Sequence, residues 1–158
     1  MEQSNVYLKK ERLSELEKEL LELKGAKRKE VADKIAEARA HGDLSENAEY
    51  DAAKEAQSML ELKISKMENM LSRAIVIEDD EFPEDEVHIL SKVHLLDVTH
   101  NEEIHYLIVS PDEADIEMDK ISIVSPLGKL MMGKKVGDEF VLELNGIRNE
   151  YKILGISN

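Results

Sequence analysis

The stretch HGDLSENAEYDAAKE, residues 41–55, lies between two helical patterns and gathers four carboxylates, Asp43, Glu46, Glu49 and Asp51, within residues 43–51. Before it, Leu13, Leu16, Leu20 and Leu23 follow the three-four spacing of a coiled-coil seam, which resumes with a shifted phase at Val31, Ile35 and Ala38. The shift falls in LKGAKRKE, residues 23–30, and predicts either a local unwinding of one long helix or two helices joined at Gly25. After it, Ala53, Ala56, Leu60, Ile64, Met67, Leu71 and Ala74 form a second seam. About six residues separate the two patterns, too few for anything but a reversal, so the helices should pack as an antiparallel αα-hairpin. Gly42 suits the left-handed position that ends a helix. Helices of about 28 to 30 residues would make a rod roughly 40–45 Å long, with the carboxylates at its tip.

The chain has 158 residues, 42% of them apolar, enough to build a core in one domain or two small ones. It contains no cysteine, which excludes disulfides, thiolate metal sites and cysteine nucleophiles. No apolar run is long enough to span a membrane and the N-terminus lacks the apolar core of a signal peptide, so a cytoplasmic monomer with no membrane partner is expected. The net charge of −14 is divided unevenly. Residues 1–74 hold 14 Lys and Arg against 16 Asp and Glu, whereas residues 75–158 hold 7 against 19. The second part should be repelled by phosphates, so any approach to nucleic acid falls to the first.

After Ala74 the periodicity changes. AIVI, VHILSKVHLLDVTH and EIHYLIVS are rich in β-branched residues, and Asn145-Gly146 between EFVLEL and IRNEYKILGI is a type I′ hairpin signal. LGKLMMG, opened by Ser125-Pro126, reads as a short helix. The expected fold class is α+β: an antiparallel coiled-coil hairpin over residues 1–74, then a small antiparallel sheet domain with one short helix over residues 75–158.

Two explanations compete for Asp43 and Glu46. Their spacing is that of a capping box, in which Asp43 would satisfy free N–H groups at the start of the second helix, and spacing alone favours it. Alternatively the pair holds a Mg²⁺ ion, which takes one or two carboxylates and completes its shell with waters and phosphate oxygens. Two carboxylates hold Mg²⁺ weakly, so such a tip would be half of a site that another macromolecule completes. The exposed Leu44 would help seat it. His88, His94, His100 and His105 are spread over strands without a close metal-ligand pair and read as scattered sheet histidines, and Lys24, Lys27, Arg28 and Lys29 read as a solvated face.

Taken together, VADKIAEARAHGDLSENAEY (residues 31–50) and PDEADIEMDKISIVSPLGKLMMGKKVGDEF (residues 111–140) resemble the tip and the C-terminal signature of the bacterial Gre transcript cleavage factors, of the GreA type. Two separated matches in the right order, covering nearly the whole chain, make the likeness specific. It implies an FKBP-like second domain and a factor that binds RNA polymerase stalled after sliding backwards. Its hairpin would enter the secondary channel, where Asp43 and Glu46 help hold a Mg²⁺ shared with the polymerase and orient the attacking water. The polymerase would then cleave its own transcript, so the factor is not an enzyme by itself. By the same resemblance Asp112, Glu113, Ala114, Asp115, Ser122, Ser125 and Pro126 dock on the polymerase β′ subunit. Asn47 and Tyr50 would touch the tip's surroundings, and Arg39 and Lys54 would steer the nascent RNA 3′ end. The modest basic content near the tip favours short extruded RNAs.

The rival readings are an inhibitory relative that plugs the channel, which the intact Asp43–Glu46 pair opposes, a self-sufficient Mg²⁺ nuclease, and a peptidyl-prolyl isomerase or chaperone. Proline pockets are lined by aromatics, and residues 75–158 offer only Phe82, Tyr106, Phe140 and Tyr151.

Overall fold

A computed structural model of the chain describes residues 4–42 and 47–158. It divides into two compact units, a helical one of Glu11–Arg73 and a second built from Met1–Lys10 together with Ala74–Asn158.

In the helical unit, α1 (Lys10–Glu22) runs through a π-helical segment (Leu23–Lys27) into α2 (Arg28–Ala40), and α3 (Ala48–Ser72) returns against α2. The π segment explains the phase shift. Buried positions fall at Leu16, Leu23, Val31 and Ala38, and the step from Leu23 to Val31 is one residue longer than the heptads on either side. The Arg28 N–H donates to the Leu23 carbonyl, five residues back, so the wide turn absorbs the extra residue and returns Val31 to the seam. The chain is therefore one continuous helix with local unwinding.

On α3 the buried side chains are Ala53, Leu60, Ile64, Met67 and Met70. Three expected seam members depart from this. Ala56 is exposed, Leu71 is half-buried because Met70 takes the inward position, and Ala74 has left the helix. Towards the hairpin end the seam narrows to Ala38 and Ala53, small side chains that permit close helix approach. Across the seam Arg28 donates two hydrogen bonds to the Glu61 carboxylate (2.9 and 2.8 Å), Lys24 pairs with Glu68 (3.4 Å) and Lys63 with Glu19 (3.6 Å).

In the second unit, β1 (Val6–Leu8) pairs in parallel with β2 (Ala74–Val76), matching Val6 with Ala74. The Tyr7 N–H also donates to the Oγ of buried Ser110 (3.0 Å). These bonds place Val6–Leu8 with the sheet rather than with the helices, a division that differs from a simple cut after Ala74. The main sheet contains β3 (Lys92–Asp97), β4 (Glu102–Val109), β5 (Lys120–Ser122), β6 (Glu139–Leu144) and β7 (Ile147–Ser157), in the order β5-β4-β3-β7-β6.

The sheet is mixed, not antiparallel throughout. The β3–β4, β3–β7 and β6–β7 pairs are antiparallel, but β5 runs parallel to β4. The chain leaving β4 crosses back through two 3₁₀ turns, Pro111–Glu113 and Ile116–Met118, and so enters β5 in the same direction. Asn145 and Gly146 both have positive φ (53° and 79°), as a type I′ hairpin requires. Val87–Leu90, expected in a strand, is buried irregular chain: Leu90 has φ 70°, and its N–H donates to the Ile108 carbonyl (2.7 Å). The short helix α4 (Pro126–Met131) contributes Met131 to a core of Val93, Leu95, Ile108, Phe140, Tyr151 and Ile153.

Ile64, 2% exposed, sits in the centre of the seam, whereas Leu62 on the same helix is 51% exposed. Ile64→Ala should cost about 2–5 kcal/mol in denaturant unfolding of the hairpin, and Leu62→Ala no more than about 0.5 kcal/mol. In the second unit a Cβ on Gly128 would lie 2.1 Å from the Ser122 carbonyl oxygen. Gly128→Ala should therefore destabilise the sheet unit by about 1–3 kcal/mol, with faster amide exchange through residues 122–128.

Candidate functional site

The end of the hairpin is built by local hydrogen bonding. The last turn of α2 closes with the His41 N–H donating to the Ala38 carbonyl (3.2 Å) and the Gly42 N–H to that of Arg39 (3.3 Å). Gly42 then takes φ 109°, a conformation that a residue with a side chain adopts only under strain. Asn47 is extended and forms the N-cap of α3, its Oδ1 accepting from the Tyr50 N–H (3.1 Å). Its Nδ2 donates to the Ala38 carbonyl (2.7 Å), so one carboxamide joins the end of α2 to the start of α3.

This corrects the capping-box expectation. α3 begins at Ala48, and its cap is Asn47 rather than Asp43. Asp43, Leu44 and Glu46 lie outside the described residues. Glu49 and Asp51 occupy the first turn of α3, where negative charge faces the positive end of the helix dipole. The Nε2 of His41 stands 3.6 Å from the Glu49 carboxylate.

Of the other residues expected near the tip, Arg39 places its guanidinium 5.8 Å from the centre of the half-buried Tyr50 ring, a cation–π contact across the two helices. Lys54 is exposed and donates to Gln57 on its own helix (3.0 Å). Three members of the basic cluster further along are paired: Lys24 with Glu68, Lys27 with Glu30 and Arg28 with Glu61. The hydrogen bonds from Arg28 and Lys27 hold the Glu61 and Glu30 carboxyls below their ordinary range. This pairing fits a solvated helix face better than a surface for nucleic acid.

The second group of candidates lies on one continuous segment. Asp112 and Glu113 form the first 3₁₀ turn and Ala114 ends it. Asp115 caps the second turn, its Oδ1 accepting from the Glu117 N–H (3.1 Å), and pairs backbone to backbone with Lys120. The Ser122 Oγ accepts from the Val124 N–H (3.1 Å). The Ser125 Oγ accepts from the Gly128 N–H (3.0 Å) and donates to the Ser122 carbonyl (2.7 Å), while Pro126 opens α4. The two serines therefore shape the segment, and Asp112, Ala114, Asp115 and Pro126 are exposed on it.

Sequence reasoning missed three apolar residues here, Ile116 (80% exposed), Met118 (65%) and Val124 (55%). In DIEMD, Ile116 and Met118 alternate with polar residues as strand residues do, and in SIVS Val124 adjoins Ile123 in a short apolar pair, neither of which gives a sign that they stay uncovered.

The histidines remain dispersed. His94 and His105 stack across β3 and β4 (4.2 Å between ring centres), His88 stacks on Phe82 (4.4 Å), and the His100 Nδ1 lies 2.9 Å from Asp97. Among the described residues no group of three or more His, Asp or Glu is placed to hold a metal ion. No helix there is long and apolar enough to cross a membrane.

Two family profiles match the chain in tandem. Residues 6–76 match the one described as "Transcription elongation factor, N-terminal", and residues 82–158 the one described as "Transcription elongation factor, GreA/GreB, C-term". The chain is 50% identical over 153 residues to the transcription elongation factor GreA of Chlorobium phaeobacteroides (strain BS1), covering 96% of each chain. It is 47% identical, at the same coverage, to that of Prosthecochloris aestuarii. Among solved structures, one described as the transcription factor Gfh1 aligns over 100% of both chains at 28% identity, with a TM-score of 0.49. The two adjoining profile matches and the relatives identical at about half of their positions show that the chain belongs to the GreA/GreB family of transcription elongation factors.

Proposed function

We propose that the protein rescues backtracked RNA polymerase by inserting its helical hairpin into the secondary channel and stimulating cleavage of the nascent RNA 3′ end. The observation that carries this reading is the Asn47 cap. With α3 capped by Asn47, the helix start that would have employed Asp43 is already satisfied. The Asp43–Glu46 pair then falls between Gly42 and Asn47, in the connection between the helices, where carboxylates would meet whatever the hairpin enters.

The donor set suits Mg²⁺, since carboxylate oxygens are hard ligands and this ion commonly takes one or two of them beside waters and phosphate oxygens. Asp43 and Glu46 would hold it together with ligands from the polymerase. When bound there, the ion neutralises charge on the scissile phosphate and lowers the pKa of the attacking water. The carboxylates orient that water by accepting its hydrogen bonds, and the hairpin fixes where they stand. Arg39 and Lys54, one on each helix, lie near the tip as cations for the RNA backbone. The chain by itself cleaves nothing in this reading, because two carboxylates leave most of the metal shell to the partner.

Docking falls to the 111–126 segment, on the β′ subunit. Exposed acids at Asp112 and Asp115 share the segment with the uncovered Ile116, Met118 and Val124, a mixture of apolar and charged surface that protein interfaces use.

Two experiments test these roles separately. In backtracked complexes, Asp43→Asn or Glu46→Gln should slow transcript shortening on the order of 100-fold while polymerase binding holds. Full cleavage by the double variant would overturn the tip assignment, as would cleavage of free RNA in the absence of polymerase. Ile116→Asp with Met118→Asp should weaken polymerase binding about tenfold or more, measured by competition, and leave the cleavage rate at saturating factor unchanged. Undiminished affinity would remove the segment from the interface.

A further inference from the structure

The main sheet ends on β6, which among the described residues pairs only with β7 and leaves its other side open. The hairpin decides which backbone groups are left over. Leu144 and Ile147 flank the two-residue Asn145-Gly146 turn as a hydrogen-bonded pair, so Leu142 and Phe140, at alternate positions behind Leu144, also direct their N–H and C=O groups to β7. Asp138 continues the alternation, its carbonyl accepting from the Ile153 N–H (2.9 Å). The N–H and C=O groups of Glu139, Val141 and Glu143 therefore face outward, in a row with the period of a strand. Lysine and proline, which commonly blunt such edges, are absent from EFVLEL; the edge carries glutamates instead. Glu139 and Glu143 are exposed, and among the described residues neither is in an ion pair, although Lys152 and Arg148 stand across from them on β7. Arg148 pairs with Glu150 (3.4 Å).

Beside this edge is a hollow of about 220 Å³, lined by Val98 and Val141, by the exposed Glu139 and Glu150, and by Phe140 and Tyr151. We propose that the open edge of β6 takes up an extended basic segment of a partner protein as an added strand, with a lysine or arginine seated in this hollow. Main-chain bonds to Glu139, Val141 and Glu143 hold the segment, and the hollow selects its side chain. The long stem of a lysine or arginine packs on the valines while its charged head meets the glutamates. Charge decides the occupant. Residues 75–158 hold 7 Lys and Arg against 19 Asp and Glu, a field that draws a cationic segment in and turns an acidic one away. A second copy of the chain is opposed for the same reason, since antiparallel pairing of two β6 strands centred on Val141 sets Glu139 of one copy against Glu143 of the other. In the order β5-β4-β3-β7-β6 this edge lies at the far side of the sheet from β5 and the 111–126 segment. It is thus a surface separate from the one proposed for polymerase docking, and it does not rest on that reading.

The test uses the full chain and two short synthetic peptides, in which threonine alternates with valine and with either lysine or glutamate. In the free protein the amides of Glu139, Val141 and Glu143 should exchange about tenfold or more faster than those of Phe140 and Leu142. The lysine peptide should slow that outward set about tenfold and bind more weakly as salt is raised, whereas the glutamate peptide should not bind. Val141→Pro removes only an outward N–H, so it should melt near the wild-type temperature yet bind the lysine peptide about tenfold more weakly. Glu139→Gln with Glu143→Gln, at exposed positions, should keep the fold and lose about fivefold in affinity, with a flatter salt dependence. This pair carries the test if the proline variant does not fold. Slow exchange all along β6 in the free protein, no binding of the lysine peptide, or equal binding of the two peptides would each overturn the proposal. Unchanged affinity in the glutamine variant or in a folded Val141→Pro would do the same, as would edge exchange that slows with protein concentration, the mark of a second copy.

Discussion

An antiparallel helix pair keeps its shape only while the apolar stripes on both helices stay in register, and everything at the hairpin's end depends on that. The stripe on the outgoing helix slips by one residue between Leu23 and Val31, which in an uninterrupted α-helix would turn Val31, Ile35 and Ala38 away from α3. The π turn at Leu23–Lys27 removes the slip by taking up one residue without breaking the helix. Placed in the middle of the helix, it leaves a regular seam on either side. The ion pairs across the seam, of which Arg28–Glu61 is bidentate, are exposed, so they add directionality more than stability.

The sheet unit solves a different problem, the display of a short surface segment in a fixed form. The chain between β4 and α4 packs Ile121 and Ile123 against the core and is otherwise held by a succession of local bonds: Asp115 to Glu117 and Lys120, Ser122 to Val124, and Ser125 to Ser122 and Gly128. Gly128 is required where the α4 backbone meets the Ser122 carbonyl. Because the backbone satisfies itself in this way, Ile116, Met118 and Val124 remain uncovered without the segment collapsing onto them.

Charge follows the same division of labour. Most of the net negative charge lies in the sheet unit's sequence, which opposes contact with nucleic acid, while the hairpin is nearly balanced and Lys24, Lys27 and Arg28 in mid-helix are matched by glutamates. Asn47 accomplishes neutrally, with one carboxamide, what an aspartate cap would have done with charge.

The sequence by itself determined the αα-hairpin, its reversal near Gly42, the Asn145-Gly146 turn and the helix opened by Ser125-Pro126, because each depends on residues close together in the chain: seam spacing, positive φ and helix capping. It also located the segments 31–50 and 111–140 by their motif order. Tertiary structure alone decided what depends on distant partners. Val6–Leu8 joins the sheet unit because Ala74–Val76 offers it a strand edge, and β5 runs parallel to β4 because of how the intervening chain folds back. Leu71 yields to Met70 where the second helix meets the seam, and Val87–Leu90 is buried without being a strand. At the tip, spacing favoured Asp43 as the cap, but the choice fell to Asn47, the residue whose amide also reaches Ala38 on the other helix, a partner that no local pattern reveals.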